Sequence, residues 1–404
     1  MPFSPTPPQN LPADFRGQEP GSWAAHTMQD RLPRIIETVL RDGEFDETAR
    51  ARLLALQNSL PQGQIRGFND PAAPDNAAWA GYVQPWLDSS WLTANWFFAE
   101  CYFYRRLLAA TGYYAPGPGE HIDPFAPQKE GGLRQAPAWL ARLAAALNRV
   151  VPGRFDQQQF DFWLQTALWG NQADLSIWQA GDQNQPLHAA SSSASHLLAD
   201  DRSPLANLFK RLPLKRIDII LDNAGIELSG DLLLADYLLT TGAADEIVLH
   251  AKAHPTFVSD ALTSDILKTI RFLTRQQSAA VSAAGERLGN WVSAGQMLLR
   301  SHFYWNAPLW FWQLDRALAA ELSQSQLIIS KGDANYRRIA GDFHWPAGKP
   351  FGDIAAYSPA PLLALRTLKS ELVLGVDPAT LARLDQQDPT WRTNGHYGLI
   401  QLAA

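Results

Sequence analysis

The stretch RIDIILDNAGIELSGDLLLADYLL, residues 216–239, decides the fold of this chain. It begins with a short apolar run, RIDIIL, whose β-branched residues are typical of a buried strand. A polar turn that includes Gly225 follows, and the apolar segment 232–240 predicts a helix. A buried strand that leads through a polar turn into a helix is the repeating unit of a parallel sheet covered by helices.

The same alternation continues to the end of the chain. Short apolar runs predict strands at 216–221, 246–250, 327–330, 361–365, 371–376 and 397–402. Helical patterns lie between several of them, at 232–240, 262–276 and 308–322. We therefore expect an α/β fold whose C-terminal domain has three layers, α/β/α, around a mostly parallel sheet.

The first half of the chain is predicted to be helical. Apolar residues recur at helical spacing in the segments 27–40, 47–60, 91–108, 136–151 and 160–169. The connector 112–135 is rich in Gly and Pro and predicts an irregular loop. We divide the chain into a Pro-rich arm at 1–22, mobile or draped on the surface, a helical domain at 23–201 and the α/β/α domain at 202–404.

Composition limits the classes of function. The 404 residues, 46% of them hydrophobic, are enough for two domains with buried cores. The net charge of −6 argues against non-specific nucleic-acid binding, although a local cationic pocket for a small anion remains compatible with it. The single cysteine, Cys101, excludes an internal disulfide and a Cys-based zinc site. No apolar run approaches the roughly 20 residues of a membrane span, so we expect a cytoplasmic protein.

Polar side chains follow four of the predicted strands. Asp222 and Asn223 come after the first strand, and Asp260 comes after the second. The same strand ends also supply Glu227, Lys252, Asp333, Asn335, Arg337, Arg366 and Lys369. Ligands of α/β proteins bind at the carboxyl ends of the strands. Oxygen donors suit a hard ion such as Mg²⁺ or Mn²⁺, and the cations opposite suit a phosphate group.

Some alternatives remain open for these residues. Asp and Asn after a strand often cap the next helix, so a capping role is equally favoured for Asp222 and Asn223 taken alone. The other strand ends favour a functional site. No G-x-S-x-G, H-E-x-x-H, Walker A or G-x-G-x-x-G motif is present at the expected places. Haloacid-dehalogenase chemistry needs a second Asp at the position of Ala224 and is therefore excluded.

Four ordered motifs resemble those of the damage-control phosphatases, the family once called domain of unknown function 89. They are LDNAGIELSGDLLLADYLL, FVSD at 257–260, KGDANYR at 331–337 and RTLK at 366–369. The Arg-Thr-x-Lys motif resembles the subfamily of acidic residue methyltransferase 1-like proteins. WFFAECYFYRRLL at 96–108 and LWGNQADLS at 168–176 extend the resemblance over most of the chain.

The resemblance implies a reaction and a set of site residues. It implies hydrolysis of phosphomonoesters of small metabolites, such as fructose phosphates, with Mn²⁺, Co²⁺, Ni²⁺ or Mg²⁺. The metal ligands implied are Asp222, Asn223 and Asp260. The substrate contacts implied are Asp333, Ala334, Asn335, Tyr336, Arg337 and Lys369, to which we add Arg366. We expect Lys369 and Arg337 to neutralise phosphoryl charge, and either Glu227 or Asp260 to act as general base.

Two other functions are weighed against hydrolysis. One is carboxyl methylation of protein glutamates with S-adenosylmethionine, which the missing glycine-rich cradle disfavours. The other is a non-catalytic sugar-phosphate-binding protein, which would not need all three metal ligands. We expect Asn171 and Asp174 to close the pocket. Several buried or flanking polar residues are assigned structural roles: Glu100, Arg105, Arg106, Asp236, His250 and His254.

Overall fold

A computed structural model describes residues 6–134, 137–170 and 196–404. Its strands are β1 (Leu197–Asp200), β2 (Leu214–Ile220), β3 (Ala244–Lys252), β4 (Met297–His302), β5 (Leu327–Lys331), β6 (Leu362–Thr367) and β7 (Gly398–Ala403). Within the described ranges, these strands form one sheet in the order β1-β7-β6-β5-β2-β3-β4. Every neighbouring pair is parallel except β6 and β7, which run antiparallel. The predicted mostly parallel sheet is therefore confirmed.

Helices occupy most of the remaining described chain. They are α1 (Trp23–His26), α2 (Leu32–Asp42), α3 (Glu47–Asn58), α4 (Asn76–Val83), α5 (Trp96–Thr111), α6 (Ala126–Leu133), α7 (Pro137–Leu147), α8 (Gln157–Trp169), α9 (Arg202–Leu205), α10 (Ile226–Thr240), α11 (Thr263–Thr274), α12 (Ala279–Ser293), α13 (Arg316–Leu322), α14 (Asp333–Ala340), α15 (Phe351–Ala355) and α16 (Pro378–Gln387). A π-helical turn, Thr27–Arg31, joins α1 to α2. No helix in the described ranges is long and apolar enough to cross a membrane.

Alternate side chains of the central strands belong to two apolar cores, one on each face of the sheet. Ile217 and Ile219 pack into one core together with side chains of α7, α8 and α10 to α12. Ile220 and Ile328 pack into the other core together with side chains of α2 to α5. This alternation follows from the two-residue period of a strand and produces the three layers.

The domain boundary expected near residue 202 falls just after a strand of the sheet. Strand β1 lies before that boundary and pairs with β7 in parallel.

Residues 14–16 of the N-terminal arm form backbone bridges with the rest of the protein. Asp14 and Phe343 form an antiparallel bridge, as do Arg16 and Asn95. The three-part division of the chain stays a prediction.

The predicted strand at 371–376 is wrong. The backbone oxygens of this segment bind side chains instead of a neighbouring strand. The guanidinium of Arg366 donates to the oxygen of Leu372 at 2.6 Å, and Gln401 donates to the oxygen of Leu374 at 2.8 Å. A short apolar run is therefore buried as an irregular segment, because side chains satisfy its backbone polar groups.

The predicted irregular connector 112–135 is wrong over its last part, which contains helix α6. The sequence of α6 has two glycines and no apolar periodicity, so it carries no helix signal. The ammonium of Lys129 in α6 pairs with Asp123 and Asp265 at 2.9 Å each. A tertiary ion pair therefore fixes this helix against α11.

Candidate active site

Four neighbouring strands, β6, β5, β2 and β3, bring the polar residues predicted at their carboxyl ends to one edge of the sheet. The chain after β2 and the chain after β3 are joined directly. Asn223 and Asp260 form an antiparallel bridge, and the amide of Ala261 donates to the oxygen of Asp222 at 2.8 Å. The three predicted metal ligands therefore lie in two adjacent loops.

The FVSD turn that carries Asp260 is strained. Phe257 has φ 46° and Val258 has φ 67°, in the left-handed region that residues with a Cβ rarely adopt. For a β-branched valine this is a genuine outlier. Backbone strain of this kind costs about 1–3 kcal/mol, and here it lies next to Asp260, which is 1% exposed.

Asn223 links two carboxylates. Its amide nitrogen donates to Oδ2 of Asp222 at 2.9 Å and to Oε2 of Glu227 at 2.8 Å. Its amide oxygen accepts from the hydroxyl of Ser259. A carbonyl oxygen has two lone pairs, so one remains available for a further ligand.

Two buried lysines lie behind these residues. The ammonium of Lys331, the last residue of β5, is 3.1 Å from Oε1 of Glu227 and 3.1 Å from Oδ1 of Asp231. It also donates to the oxygen of Ala167 in α8. Lys252, the last residue of β3, is 3.3 Å from Oδ2 of Asp260. Both lysines are almost fully buried and paired.

The carboxylates that face each other here are destabilised as anions. Burial raises the pKa of Asp222 well above its ordinary value, and the charges of Glu227 and Asp260 raise it further. The charges of Lys369 and Lys252 oppose this shift. Burial also raises the pKa of Asp260, against the opposing charge of Lys252. A cation held between Asp222 and Asp260 would offset these costs.

These residues fit a hard divalent ion. Asp222, Asn223 and Asp260 supply only oxygen donors, which Mg²⁺ and Mn²⁺ prefer. The buried Oδ2 of Asp260 lies 3.3 Å from the ammonium of Lys252 and has no shorter hydrogen bond among the described residues, so it retains lone pairs for a ligand. The described ranges contain no group of three or more His, Cys, Asp or Glu side chains placed for a metal ion. The predicted set has only two such side chains, because its third member, Asn223, is an amide.

The KGDANYR motif forms the start of α14 and supports the loop with the RTLK motif. Oδ1 of Asp333 accepts from the guanidinium of Arg366 at 2.8 Å, from the amide of Lys369 at 3.1 Å and from the hydroxyl of Ser370 at 3.0 Å. Asp333 is partly exposed, as is its neighbour Ala334. Asp333 therefore fixes the backbone from which the side chain of Lys369 extends.

Lys369 differs from the other cations of the site. It is half-buried, and its ammonium has no hydrogen bond or ion pair within the described part of the chain. Its charge nevertheless lowers the pKa of Asp222, which places it within electrostatic reach of that carboxylate. Lys369 is thus a cation near the proposed metal ligand Asp222, without a partner of its own in the described part of the chain.

The remaining predicted substrate contacts have buried side chains with protein partners. Asn335 donates to the oxygens of Leu221 and Lys331. Arg366 lies 4.3 Å from the ring centre of Tyr336, whose hydroxyl donates to Gln401. These contacts support the loops around the site, and direct substrate binding by these side chains stays a prediction.

Arg337 likewise has protein partners. Its guanidinium donates to Asp342 at 2.8 Å and to Glu100 at 2.6 Å, and it stacks 3.6 Å above the ring centre of Trp96. The predicted contact of Arg337 with phosphate is not tested by this geometry. Its ion pair connects α14 to α5.

Two residues of the N-terminal helical region, Arg31 and Tyr104, lie within electrostatic reach of the strand ends and were not predicted. Arg31 lies 3.4 Å from Glu100, and its charge interacts with those of Arg337 and Asp333. The buried hydroxyl of Tyr104 has no hydrogen-bond partner among the described residues. In sequence, Arg31 is indistinguishable from a solvated arginine on a helix, so no signal pointed to it.

Several residues assigned structural roles have them. His250 pairs with Asp218 at 2.7 Å, and His254 lies 3.5 Å from Asp75. The other ion pairs are Arg105 with Asp75, Glu100 with Arg337, and Arg287 with Asp236. Arg106 donates to the hydroxyl of Tyr102. Asn171 and Asp174, expected to close the pocket, lie outside the described residues.

Comparisons with known proteins agree over nearly the whole chain. The model of the damage-control phosphatase ARMT1-like domain matches residues 27–383. The chain is 32% identical over 443 residues to the damage-control phosphatase ARMT1 of Danio rerio, with 98% of this chain and 97% of that protein covered. For the protein of the same name in Xenopus tropicalis, the identity is 33% over 443 residues, covering 98% and 99%.

A solved structure supports the fold alone. The crystal structure of a DUF89 family protein from Pyrococcus horikoshii matches with a TM-score of 0.50 and 15% sequence identity. The match covers 94% of this chain and 98% of that one. The α/β architecture is therefore shared beyond the range of close sequence similarity.

Proposed function

The chain belongs to the damage-control phosphatase ARMT1-like family, and from this we propose that it is a metal-dependent phosphatase that hydrolyses phosphomonoesters of small metabolites. We infer that sugar phosphates such as fructose phosphates are its substrates. The observation that carries the proposal is a buried set of oxygen donors, Asp222, Asn223 and Asp260, within electrostatic reach of Lys369. The ammonium of Lys369 has no partner in the described part of the chain.

Asp222, Asn223 and Asp260 would hold the ion, which we propose to be Mn²⁺, Co²⁺, Ni²⁺ or Mg²⁺. When bound, a divalent ion supplies a Lewis acid for a phosphoryl oxygen and lowers the pKa of a water molecule. Lys252 stays paired with Asp260 and limits the negative charge that the ligands bring to the pocket. The strained turn at Phe257 and Val258 holds Asp260 in position.

Lys369 binds the phosphoryl group in this proposal. Its ammonium is free to contact the non-bridging oxygens, whose charge must be stabilised in the transition state. Arg31 supplies a second cation from the N-terminal helices, close to Asp333. Asp333 positions the backbone of Lys369 through a hydrogen bond of 3.1 Å and has a partly exposed side chain for substrate hydroxyls.

The geometry favours Asp260 over Glu227 as the general base. Both oxygens of Glu227 are engaged, one by Lys331 and the other by Asn223. Among the described residues Asp260 has one ion pair, with the ammonium of Lys252 at 3.3 Å from Oδ2, and burial raises the pKa of this carboxyl. A carboxylate with a raised pKa is the better proton acceptor.

The experiment is a phosphate-release assay on metal-stripped protein across a panel of sugar phosphates, with each of the four metals and without a methyl donor. We expect orthophosphate from at least one sugar phosphate in the presence of metal. Transfer of label from S-adenosylmethionine to carboxylates, without phosphate release, would instead favour the methyltransferase function. Binding of sugar phosphates without turnover would favour the non-catalytic alternative.

We also propose a cytoplasmic location. Cys101 is the single cysteine of the sequence and is buried without a disulfide partner. A protein that needs no disulfide suits a reducing compartment, where phosphorylated metabolites are found.

A further inference from the structure

A groove of about 560 Å³ lies between α6 and α11, outside the site described above. Its rim carries four exposed cations, Arg134 on one side and Lys268, Arg271 and Arg275 on the other. Lys268 and Arg271 lie on α11 and Arg275 directly follows its last residue, and their spacing of three and four residues puts them on the same side. Like charges at this spacing destabilise a helix, so the arrangement has a cost.

These cations lack carboxylate partners. Within the described part of the chain, Lys268, Arg271 and Arg275 form no ion pair, and Arg134 has only Glu130 at 3.7 Å. The same two helices neutralise their buried charges completely, since Lys129 and Asp265 pair at 2.9 Å. The chain as a whole has a net charge of −6, so the positive charge of this groove is a local feature.

The floor of the groove is apolar. Leu133 and Phe272 line it and are partly buried. A ligand that covers this floor while it meets the cations must carry both apolar groups and anionic groups.

We propose that this groove binds an acidic segment of a partner protein that contains interspersed large apolar side chains. From Lys268 to Arg275 the helix rises by about 10 Å, at 1.5 Å per residue. An extended peptide covers that distance with about three to four residues at roughly 3.3 Å each. Such a segment reaches all four cations, whereas one phosphate group contacts only its nearest neighbours. The groove is concave, which favours a peptide over a flat lipid surface.

None of the residues that line the groove is among the proposed metal or substrate ligands, although the backbone of Leu133 lies beside Gly225 of the loop that carries Asn223. Asp260 precedes the first residue of α11, and Arg271 lies about 12 Å further along the helix. The inference rests on charge and shape alone and does not depend on phosphatase activity.

The test is fluorescence anisotropy with the full chain and a fluorescein-labelled peptide of twelve residues, in which glutamate pairs alternate with single leucines. We expect saturable binding that weakens as salt increases. The variant Arg271→Glu/Arg275→Glu should bind at least tenfold more weakly. The control variant Arg50→Glu/Arg52→Glu changes the net charge equally on the exposed face of α3 and should bind within twofold of wild type.

Further binding measurements distinguish the proposed peptide from other ligands of the groove. The same peptide with serine in place of leucine should bind more weakly, because the apolar floor is then unused. Equal binding by wild type and the groove variant would overturn the proposal, as would equal weakening in the control. Displacement of the peptide by inorganic tripolyphosphate at equal affinity, or binding to phosphatidylserine vesicles without binding to the peptide, would also overturn it. If the charge-reversal variant unfolds, Lys268→Gln/Arg271→Gln against Arg50→Gln/Arg52→Gln gives the same comparison.

Discussion

The carboxylate of Asp222 packs directly against the Cα of Gly332: a Cβ added to Gly332 would lie 1.9 Å from Oδ2 of Asp222. Gly332 also has φ 85° and ψ 173°, a conformation essentially confined to glycine that costs a residue with a Cβ about 1–3 kcal/mol. The glycine of KGDANYR therefore lets β5 approach the first proposed metal ligand, a role that its position in the motif alone does not reveal.

Gly332→Ala is expected to displace the carboxylate of Asp222 and to weaken Mn²⁺ binding at least about tenfold, which corresponds to 1.4 kcal/mol. Metal titration by calorimetry measures the effect. Gly67→Ala is the matched control, because a Cβ at Gly67 meets no atom within 4 Å and the backbone is not left-handed there. Wild-type metal affinity in Gly332→Ala would show that Asp222 does not ligate the ion.

Lys369→Ala is expected to reduce kcat/KM for a sugar phosphate by about 10- to 100-fold, since a charge-assisted contact contributes roughly 1.5–3 kcal/mol. The protein should keep its metal and its melting temperature, because the ammonium of Lys369 has no partner in the described structure. Steady-state kinetics with parallel metal analysis give the answer. Lys210→Ala, at another exposed lysine, should leave kcat/KM unchanged; unaltered kinetics in both variants would remove Lys369 from the mechanism.

Lys331→Met is expected to lower the free energy of unfolding by about 3–5 kcal/mol, because it leaves the buried carboxylates of Glu227 and Asp231 without their cation. Urea denaturation measures the loss. Adding Asp231→Asn to this variant should restore part of the stability, since one unpaired charge is removed. A double variant less stable than Lys331→Met would contradict the ion-pair interpretation.

The stability of the fold should depend on Asp218 in acid. Burial raises the pKa of this carboxyl, but hydrogen bonds with His250 and Arg216 outweigh burial and hold the pKa below its ordinary value. The stabilisation is therefore present above the unfolded-state pKa of about 3.9 and is lost as pH falls through the lower folded-state value.

Asp218→Asn should accordingly be less stable than wild type at pH 7, and the difference should shrink between about pH 4 and pH 3. Urea denaturation of both proteins over this range measures it, with Asp245→Asn, at an exposed position of β3, as the control. A difference that stays constant with pH would mean that Asp218 contributes through packing rather than charge.

Much of the fold could be predicted from the sequence because the central strands are continuous apolar runs. Strands β2, β3, β5, β6 and β7 form where the runs lie. The edge strand β4 was missed because its second half is polar and mostly exposed, as Arg300 and Ser301 illustrate. The run at 371–376 is apolar but irregular, since Arg366 and Gln401 satisfy its carbonyls from distant parts of the chain.

The candidate site likewise contains residues that could be predicted from the sequence and residues that could not. The placement of Asp222, Asn223 and Lys369 at one edge of the sheet could be predicted because they follow strands, and parallel strands end at one edge. Arg31 and Tyr104 were missed because they come from helices whose position against the sheet depends on tertiary packing. The pairing of Arg337 with Glu100 and Asp342 was likewise invisible, because sequence does not show which cations find a buried partner.

A measurement of metal-dependent phosphate release tests the proposed phosphatase chemistry most directly. Wild-type protein stripped with EDTA should release no orthophosphate from a sugar phosphate, and added Mn²⁺, Co²⁺, Ni²⁺ or Mg²⁺ should restore release. Asp260→Asn should lower kcat at least 100-fold with the same metal, because it replaces a proposed anionic ligand with a neutral one and removes the proposed base. Release that is undiminished after chelation and in Asp260→Asn, or no release with any metal while label passes from S-adenosylmethionine to carboxylates, would contradict the proposed chemistry.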